Sequence, residues 1–287
     1  MKITVSKPIR AIQAYRNAQY NYTDIEAFYN ALPPVLDSMG ADYRIIDTFD
    51  TAPADTNVHL AWHGYGNEPN TWYIKSGYLP NYFYFDKTGY SGWSTLVHNY
   101  DFDVSSDVAS EYINAFQLNS RMPQPEHTEE IGAPYVLVLG QKWRDKVLEF
   151  SYFENDLLKM VTDLYAGTEY KVVFKPHPLN KGEEGSRGNL TNLIAGANAI
   201  YTINSGSGFE ALFQHKRVFT TGVSDYHWGT TELKTVSEFQ NSINMLEEPV
   251  DIDRINKFLY YCLTEYFMYI TDAASIQRKI RQAISEA

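Results

Sequence analysis

The apolar positions of this chain follow two rhythms. Short runs of four or five residues, rich in Val, Ile, Tyr and Phe, read as strands. In the first half these are residues 2–6, 43–46, 58–62 and 82–85. Between the first two, Ile25, Phe28, Tyr29 and Leu32 recur at helical spacing. Thr23, with Glu26 three residues on, forms a capping box that would start this helix. Pro33 and Pro34 are expected to end or restart it.

The second half alternates more regularly. Residues 135–139 form a continuous apolar run closed by Gly140, as in a strand buried on both faces. A helix is predicted over 153–165, a strand over 170–174, a helix over 190–195 and a strand over 199–203. A glycine-rich loop, a helix from Gly208 and a strand over 217–220 follow. Strand and helix alternating in this way predict a parallel sheet with helices on both faces. Ligands of such sheets bind at the carboxyl ends of the strands.

The segment 119–132, with Met122-Pro-Gln-Pro-Glu-His-Thr-Glu-Glu, is polar and broken by prolines, and reads as a linker. The expected organisation is one domain over 1–120 and a second over 133–250. Helices over 251–287, able to pack across both domains, complete it. At 287 residues the chain suits two hydrophobic cores better than one. Its 44% apolar content argues against disorder.

Charge and cysteine usage narrow the classes. A formal charge of −11 repels polyanions unless a basic face is segregated. The single cysteine, Cys262, excludes an intrachain disulfide and a cysteine metal cluster. The start, Met1-Lys-Ile-Thr-Val, shows no apolar signal region, and a cytoplasmic location is the expectation. The most apolar stretch, 255–270, carries Lys257 and Glu265. It reads as a buried helix, with peripheral membrane attachment as the alternative. The 23 Tyr, 15 Phe and 5 Trp suit core filling as well as contacts to sugars and bases.

Two predicted strands end in unusual loops. In Val173-Phe-Lys-Pro-His-Pro-Leu, prolines on both sides fix the backbone of His177, and Lys175 with His177 forms a cationic pair where a phosphate would lie. The simpler alternative is a rigid turn with a surface histidine. In Ile203-Asn-Ser-Gly-Ser-Gly-Phe-Glu-Ala-Leu, Gly206 and Gly208 allow close backbone approach, and Ser205 and Ser207 offer hydroxyl donors. Glu210, placed in the first helical turn, could accept from ribose hydroxyls or merely complement the helix dipole. Neither the Walker pattern nor the dinucleotide glycine pattern is present, which favours a nucleotide carrying a sugar. A third loop, 221–231, brings Asp225, His227, Thr230 and Thr231, which could close over the same pocket or form an ordinary loop.

Lys175-Pro-His-Pro, Ser205-Gly-Ser-Gly-Phe-Glu-Ala-Leu and Tyr226-His-Trp-Gly together resemble the nucleotide-binding domain of bacterial capsule-type glycosyltransferases, the KpsC- and WbbB-like Kdo transferases. The His-Pro and paired-serine elements are also similar to those of bacterial sialyltransferases. The resemblance spans about residues 72–232. It implies an α/β, GT-B-like fold, two Rossmann-like domains facing across a cleft, with His177, Ser205 and Ser207 contacting the donor phosphate. A fainter similarity lies in Ser76-Gly-Tyr-Leu-Pro followed by Tyr84-Phe-Asp-Lys-Thr-Gly, which makes Asp86 the candidate catalytic carboxylate; the alternative is an aspartate capping a Lys-Thr-Gly turn. The chain has Lys75-Ser76 where the family has an acidic residue.

The expected function is therefore a glycosyltransferase moving a sugar from a nucleotide-sugar co-substrate to a glycan acceptor of capsule or other surface type. No other cofactor and no metal are expected: His59 and His63 sit four apart on a strand and read as cleft-lining side chains, and no Asp-x-Asp pair ends a strand. Two alternatives stay open. One is a virus-encoded enzyme that glycosylates hydroxymethylcytosine in DNA, suggested by Lys7, Arg10 and Arg16 interleaved with Tyr15, Tyr20 and Tyr22. The other is a catalytically idle protein that binds a nucleotide-sugar.

Overall fold

A computed structural model describes residues 2–9, 12–13, 23–47, 53–99, 102–121, 124–127, 130–154 and 156–287. The chain divides into two compact units, Met1–Tyr100 with Tyr261–Ala287, and Asp101–Tyr260.

The first unit is built on a six-stranded sheet. Its strands are β1 (Lys2–Ser6), β2 (Asp42–Ile46), β3 (Val58–Trp62), β4 (Thr71–Ser76), β5 (Tyr82–Asp86) and β11 (Met268–Tyr269), in the order β11-β5-β4-β3-β1-β2. The β1, β2, β3 and β4 pairings are parallel, whereas β5 runs antiparallel to both β4 and β11. Helix α1 (Thr23–Ser38) continues through Pro33 and Pro34. The two prolines fall toward solvent, while Leu32, Val35 and Leu36 go into the core. Burial of that stripe outweighs the hydrogen bonds the prolines cannot donate. The capping box expected at Thr23 involves a side chain outside the described residues.

The second unit carries β6 (Tyr135–Leu139), β7 (Lys171–Lys175), β8 (Ala199–Thr202), β9 (Val218–Thr220) and β10 (Thr231–Glu232). All pair in parallel, in the order β10-β9-β8-β6-β7. Its helices include α2 (Ser106–Ala115), α3 (Leu157–Leu164), α4 (Leu190–Gly196), α5 (Gly206–Leu212), α6 (Val236–Asn241) and α7 (Ile252–Tyr261). Val136, Val138, Tyr201 and Phe219 of the sheet pack with Leu157, Val161 and Phe239 of the helices.

The unit boundaries fall elsewhere than the sequence placed them, and side-chain packing shows why. Residues 101–120 belong with the second unit: Phe102 packs on Phe258, Tyr112 on Tyr260 and Phe116 on Phe213, and Ser110 accepts from Asn256 Nδ2 at 3.1 Å. The last residues return to the first unit because β11 pairs with β5 and helix α8 (Ala273–Ser285) buries Ile276 and Ile280 in its core. The apolar stretch 255–270 is thus not one helix. It passes from α7 through a π turn, Cys262–Tyr266, into β11. Strand β4 adds to the strands expected: Thr71, Trp72, Tyr73 and Ile74 are all buried, so it shows no in-and-out alternation. Among the described residues no helix is long and apolar enough to cross a membrane.

Candidate functional site: the carboxyl edge of the parallel sheet

In the second unit the chain runs from β6 to β7 on one side, then crosses to β8 on the other side of β6. This reversal makes β6 and β8 the topological switch point, where open α/β sheets bind ligands. Register aligns the strand ends: Leu139 lies opposite Lys175 and Thr202, and Thr202 opposite Thr220. The two loops singled out in the sequence therefore flank Gly140 along one edge.

Gly140 is where the edge closes up. A side chain there would stand 3.0 Å from His177 N and 3.1 Å from Lys175 O, so any larger residue would crowd the approach of the β6 end to the Lys-Pro-His-Pro loop. The Gly140 N–H donates to Lys175 O at 2.8 Å. Asn180, 3% exposed, then ties the loops together. Its backbone N–H donates to His177 O at 2.9 Å, its Nδ2 to Gln141 O and Glu183 Oε2 at 2.8 Å each, and its Oδ1 accepts from Trp143 N at 3.0 Å.

Within this frame His177 is not half of a cationic pair. Burial pushes its pKa down to about 4, with nearby Asp145 opposing and Lys142 adding to the effect. The ring is neutral at physiological pH. Its Nδ1 accepts from Leu179 N–H at 3.2 Å, which puts the proton on Nε2 and makes that nitrogen a donor. Lys175 is the charged member, and its Nζ donates to Gly188 O at 2.7 Å inside the loop.

At the other loop α5 starts at Gly206, two residues earlier than predicted. Ser205 occupies the N-cap, yet its side chain caps nothing; its carbonyl instead accepts from Gly208 N at 2.8 Å and from the Tyr226 hydroxyl at 2.6 Å. Its hydroxyl is left for another partner, and Gly206 and Ser207 are half-exposed beside it. Gly208 serves a different end from the one expected. A side chain there would meet Tyr226 Oη at 2.7 Å and Thr202 Cγ2 at 3.1 Å, so this glycine accommodates a fully buried tyrosine, not a ligand.

Glu210 is the fifth residue of α5, beyond its first turn, and so does not serve as a dipole complement there. It is buried, and its Oε2 accepts from the Ser120 hydroxyl. Burial raises its pKa to about 7, only partly offset by Ser120, so the carboxyl is poised between its two forms near neutrality.

The loop expected to close over the pocket is buried over 221–222 and 224–226 and half-exposed over 227–231. Asp225 and Tyr226 are both fully buried. His227 donates from Nδ1 to Ser224 O at 3.0 Å. Thr230 and Thr220 hydroxyls pair at 3.3 Å.

In the first unit the structure gives Asp86 a different task from the catalytic one expected of it. The residue is 1% exposed. Its Oδ1 accepts from Thr88 N at 2.7 Å, Thr88 Oγ1 at 3.0 Å and Gly89 N at 3.0 Å. Its Oδ2 accepts from Thr95 N at 2.9 Å, Thr95 Oγ1 at 2.6 Å and Tyr266 Oη at 2.7 Å. A carboxylate engaged on every side anchors the turns after β5 and has no lone pair to offer a substrate proton. His59 is likewise a core residue, fully buried with Nε2 3.3 Å from Ser6 Oγ, whereas His63 is half-exposed against Tyr90. Among the described residues no group of three His, Cys, Asp or Glu side chains is placed to hold a metal ion.

The sheets and their edges define a two-domain α/β protein of the GT-B class, and the solved structures it is similar to have the same fold. Two are from Thermosulfurimonas dismutans. The "KpsC, beta Kdo 2,4 transferase" aligns with 99% of this chain and 98% of its own at 15% identity and a TM-score of 0.59. The "KpsC, beta Kdo 2,7 transferase" aligns with 99% of each chain at 16% identity and a TM-score of 0.55. Residues 185–269 match the model of the capsule polysaccharide biosynthesis protein family. That segment contains Ser205-Gly-Ser-Gly and Tyr226-His-Trp-Gly, so the resemblance to capsule-type glycosyltransferases drawn from these motifs holds. No curated protein sequence matches the chain.

Proposed function

We propose that this chain is a nucleotide-sugar-dependent glycosyltransferase that holds its donor at the carboxyl edge of the five-stranded sheet. The acceptor in this reading is a glycan of capsule or other surface type, and the nucleotide-sugar is a co-substrate with no further cofactor. The observation that carries the reading is the pairing of His177 Nε2–H with the uncapped Ser205 hydroxyl on either side of Gly140. Neutral imidazole, hydroxyl and ammonium groups at a switch point suit a phosphate diester or diphosphate. His177 Nε2 and the hydroxyls of Ser205 and Ser207 would donate to phosphate oxygens, with Lys175 supplying positive potential. Glu210 would face the ribose hydroxyls. A cytoplasmic location goes with this reading, because nucleotide-sugars are made there.

Two further points support it. The family model matches the segment that carries the second loop. The similar solved structures are named as Kdo transferases. The alternative of a DNA acceptor rested on a basic, aromatic segment of which Arg10, Tyr15, Arg16, Tyr20 and Tyr22 lie outside the described residues. A thermal-shift screen across nucleotide-sugars, followed by an assay of free-nucleotide release with a glycan acceptor, tests the proposal. A donor should raise the melting temperature, since it binds the native state alone, and release should depend on acceptor. Stabilisation by a nucleotide-sugar without any turnover would mark a binding protein instead.

A further inference from the structure

The loop from Gly140 to Asp145 holds a side chain that the donor site has not yet used. Trp143 is 56% exposed, although its backbone is fixed to Asn180, the residue that also fixes His177. Large aromatic side chains usually have most of their surface buried, and a rigidly held exposed indole at the ligand edge of an α/β sheet is placed for contact. Lys142 and Arg144 flank it in sequence, and Lys142 is close enough to act on His177.

A second, independent observation lies in the same loop. Gln141 Oε1 is buried and has no hydrogen-bond partner among the described residues, and Asn204 Oδ1, just past the end of β8, is in the same condition. Buried acceptors are nearly always paired. Two unpaired ones just past the two strands of the switch point call for a ligand that brings N–H or O–H groups. A flat π-face with cationic neighbours and waiting acceptors fits a nucleobase: any base stacks on indole, and its polar edge carries N–H donors.

We propose that Trp143 is the stacking platform for the nucleobase of the donor and that the Gln141 side-chain oxygen accepts a base N–H. This rests on the donor site described above and assigns its base-binding end. Trp143 touches the ligand without taking part in the transfer, so it governs affinity for the base and not for the phosphate.

The test titrates CMP, UMP, AMP, GMP and ribose 5-phosphate into the full chain and into Trp143→Ala and Trp143→Phe, following intrinsic fluorescence and heat. At least one nucleotide should bind the wild type and quench tryptophan emission. Trp143→Ala should lower that affinity roughly tenfold, as loss of one stacked base does, and leave ribose 5-phosphate binding unchanged. Trp143→Phe should keep most of the affinity and lose the quench. Equal nucleotide affinity in Trp143→Ala and wild type would overturn the inference, as would an equal loss for ribose 5-phosphate, which would make Trp143 a support for the loop. If no nucleotide binds the wild type, the donor site itself fails.

Discussion

Two acidic side chains, Asp86 in the first unit and Glu210 in the second, differ in what their surroundings leave them free to do. Asp86 at the end of β5 accepts from backbone and hydroxyl donors on both oxygens. Among the described residues Glu210 on α5 has one hydrogen-bond partner, Ser120, and its pKa is raised to about 7. The loops around them differ in the same way. Those beside Asp86 are closed on themselves, whereas those around Gly140 keep an uncapped serine hydroxyl, a donor nitrogen on His177 and acceptors on Gln141 and Asn204 that are unpaired among the described residues. A polar residue at a strand end marks a site where hydrogen-bonding capacity remains unspent, and a structural anchor where it is used up.

The sharpest way to break this comparison is Asp86→Asn. An amide preserves shape, but whichever oxygen becomes NH2 must face a backbone N–H, from Thr88 and Gly89 on one side or Thr95 on the other. Donor against donor in a buried site should cost about 4 kcal/mol in chemical denaturation. A fully stable variant with abolished transfer would restore Asp86 as a catalytic carboxylate.

Glu210→Gln probes the opposite case. Because the folded pKa of about 7 lies above the ordinary 4.5, the contribution of Glu210 to stability is whole below pH 4.5 and lost as pH rises through 7. Above that window the Gln variant should be the more stable by about 3 kcal/mol, with no difference in pH slope below it. Denaturation curves between pH 4 and pH 8 measure this, and parallel profiles for the two proteins would place Glu210 in a polar environment. In the wild type alone, nucleotide affinity should rise as pH passes through 7, because the ionised carboxylate is the stronger acceptor for the ribose hydroxyls it would face.

Gly208→Ala is expected to have a smaller effect. The added methyl overlaps Tyr226 and Thr202, and overpacking of this kind costs about 1–3 kcal/mol. Urea denaturation would register that loss. A neutral change in stability with lost nucleotide binding would return Gly208 to the ligand-approach role the sequence suggested.

Much of the second unit was legible because three of its strands are short apolar runs ending in punctuation: Gly140 after β6, Pro176 after β7, Ser205-Gly206 after β8. The same signal pointed to the two loops. What the sequence concealed was how each polar group is used. The neutral state of His177 depends on burial and on the Leu179 amide. The role of Asp86 depends on Thr95 and on Tyr266, a residue 180 positions away. Asn180 and Trp143 carry no motif, since their importance comes from bonds between successive strand ends that only the parallel register brings together.

The central claim is that the Gly140 edge binds the phosphate of a nucleotide-sugar through His177. Isothermal titration of nucleotide-sugars into wild type and His177→Ala, at pH 7 and with melting temperatures matched, tests it most directly. A hydrogen bond to a charged phosphate contributes about 1.5–3 kcal/mol, so the account predicts that the donor which binds the wild type loses roughly tenfold or more in affinity. A folded His177→Ala variant with wild-type affinity, or a wild-type protein that binds no nucleotide-sugar, would contradict it.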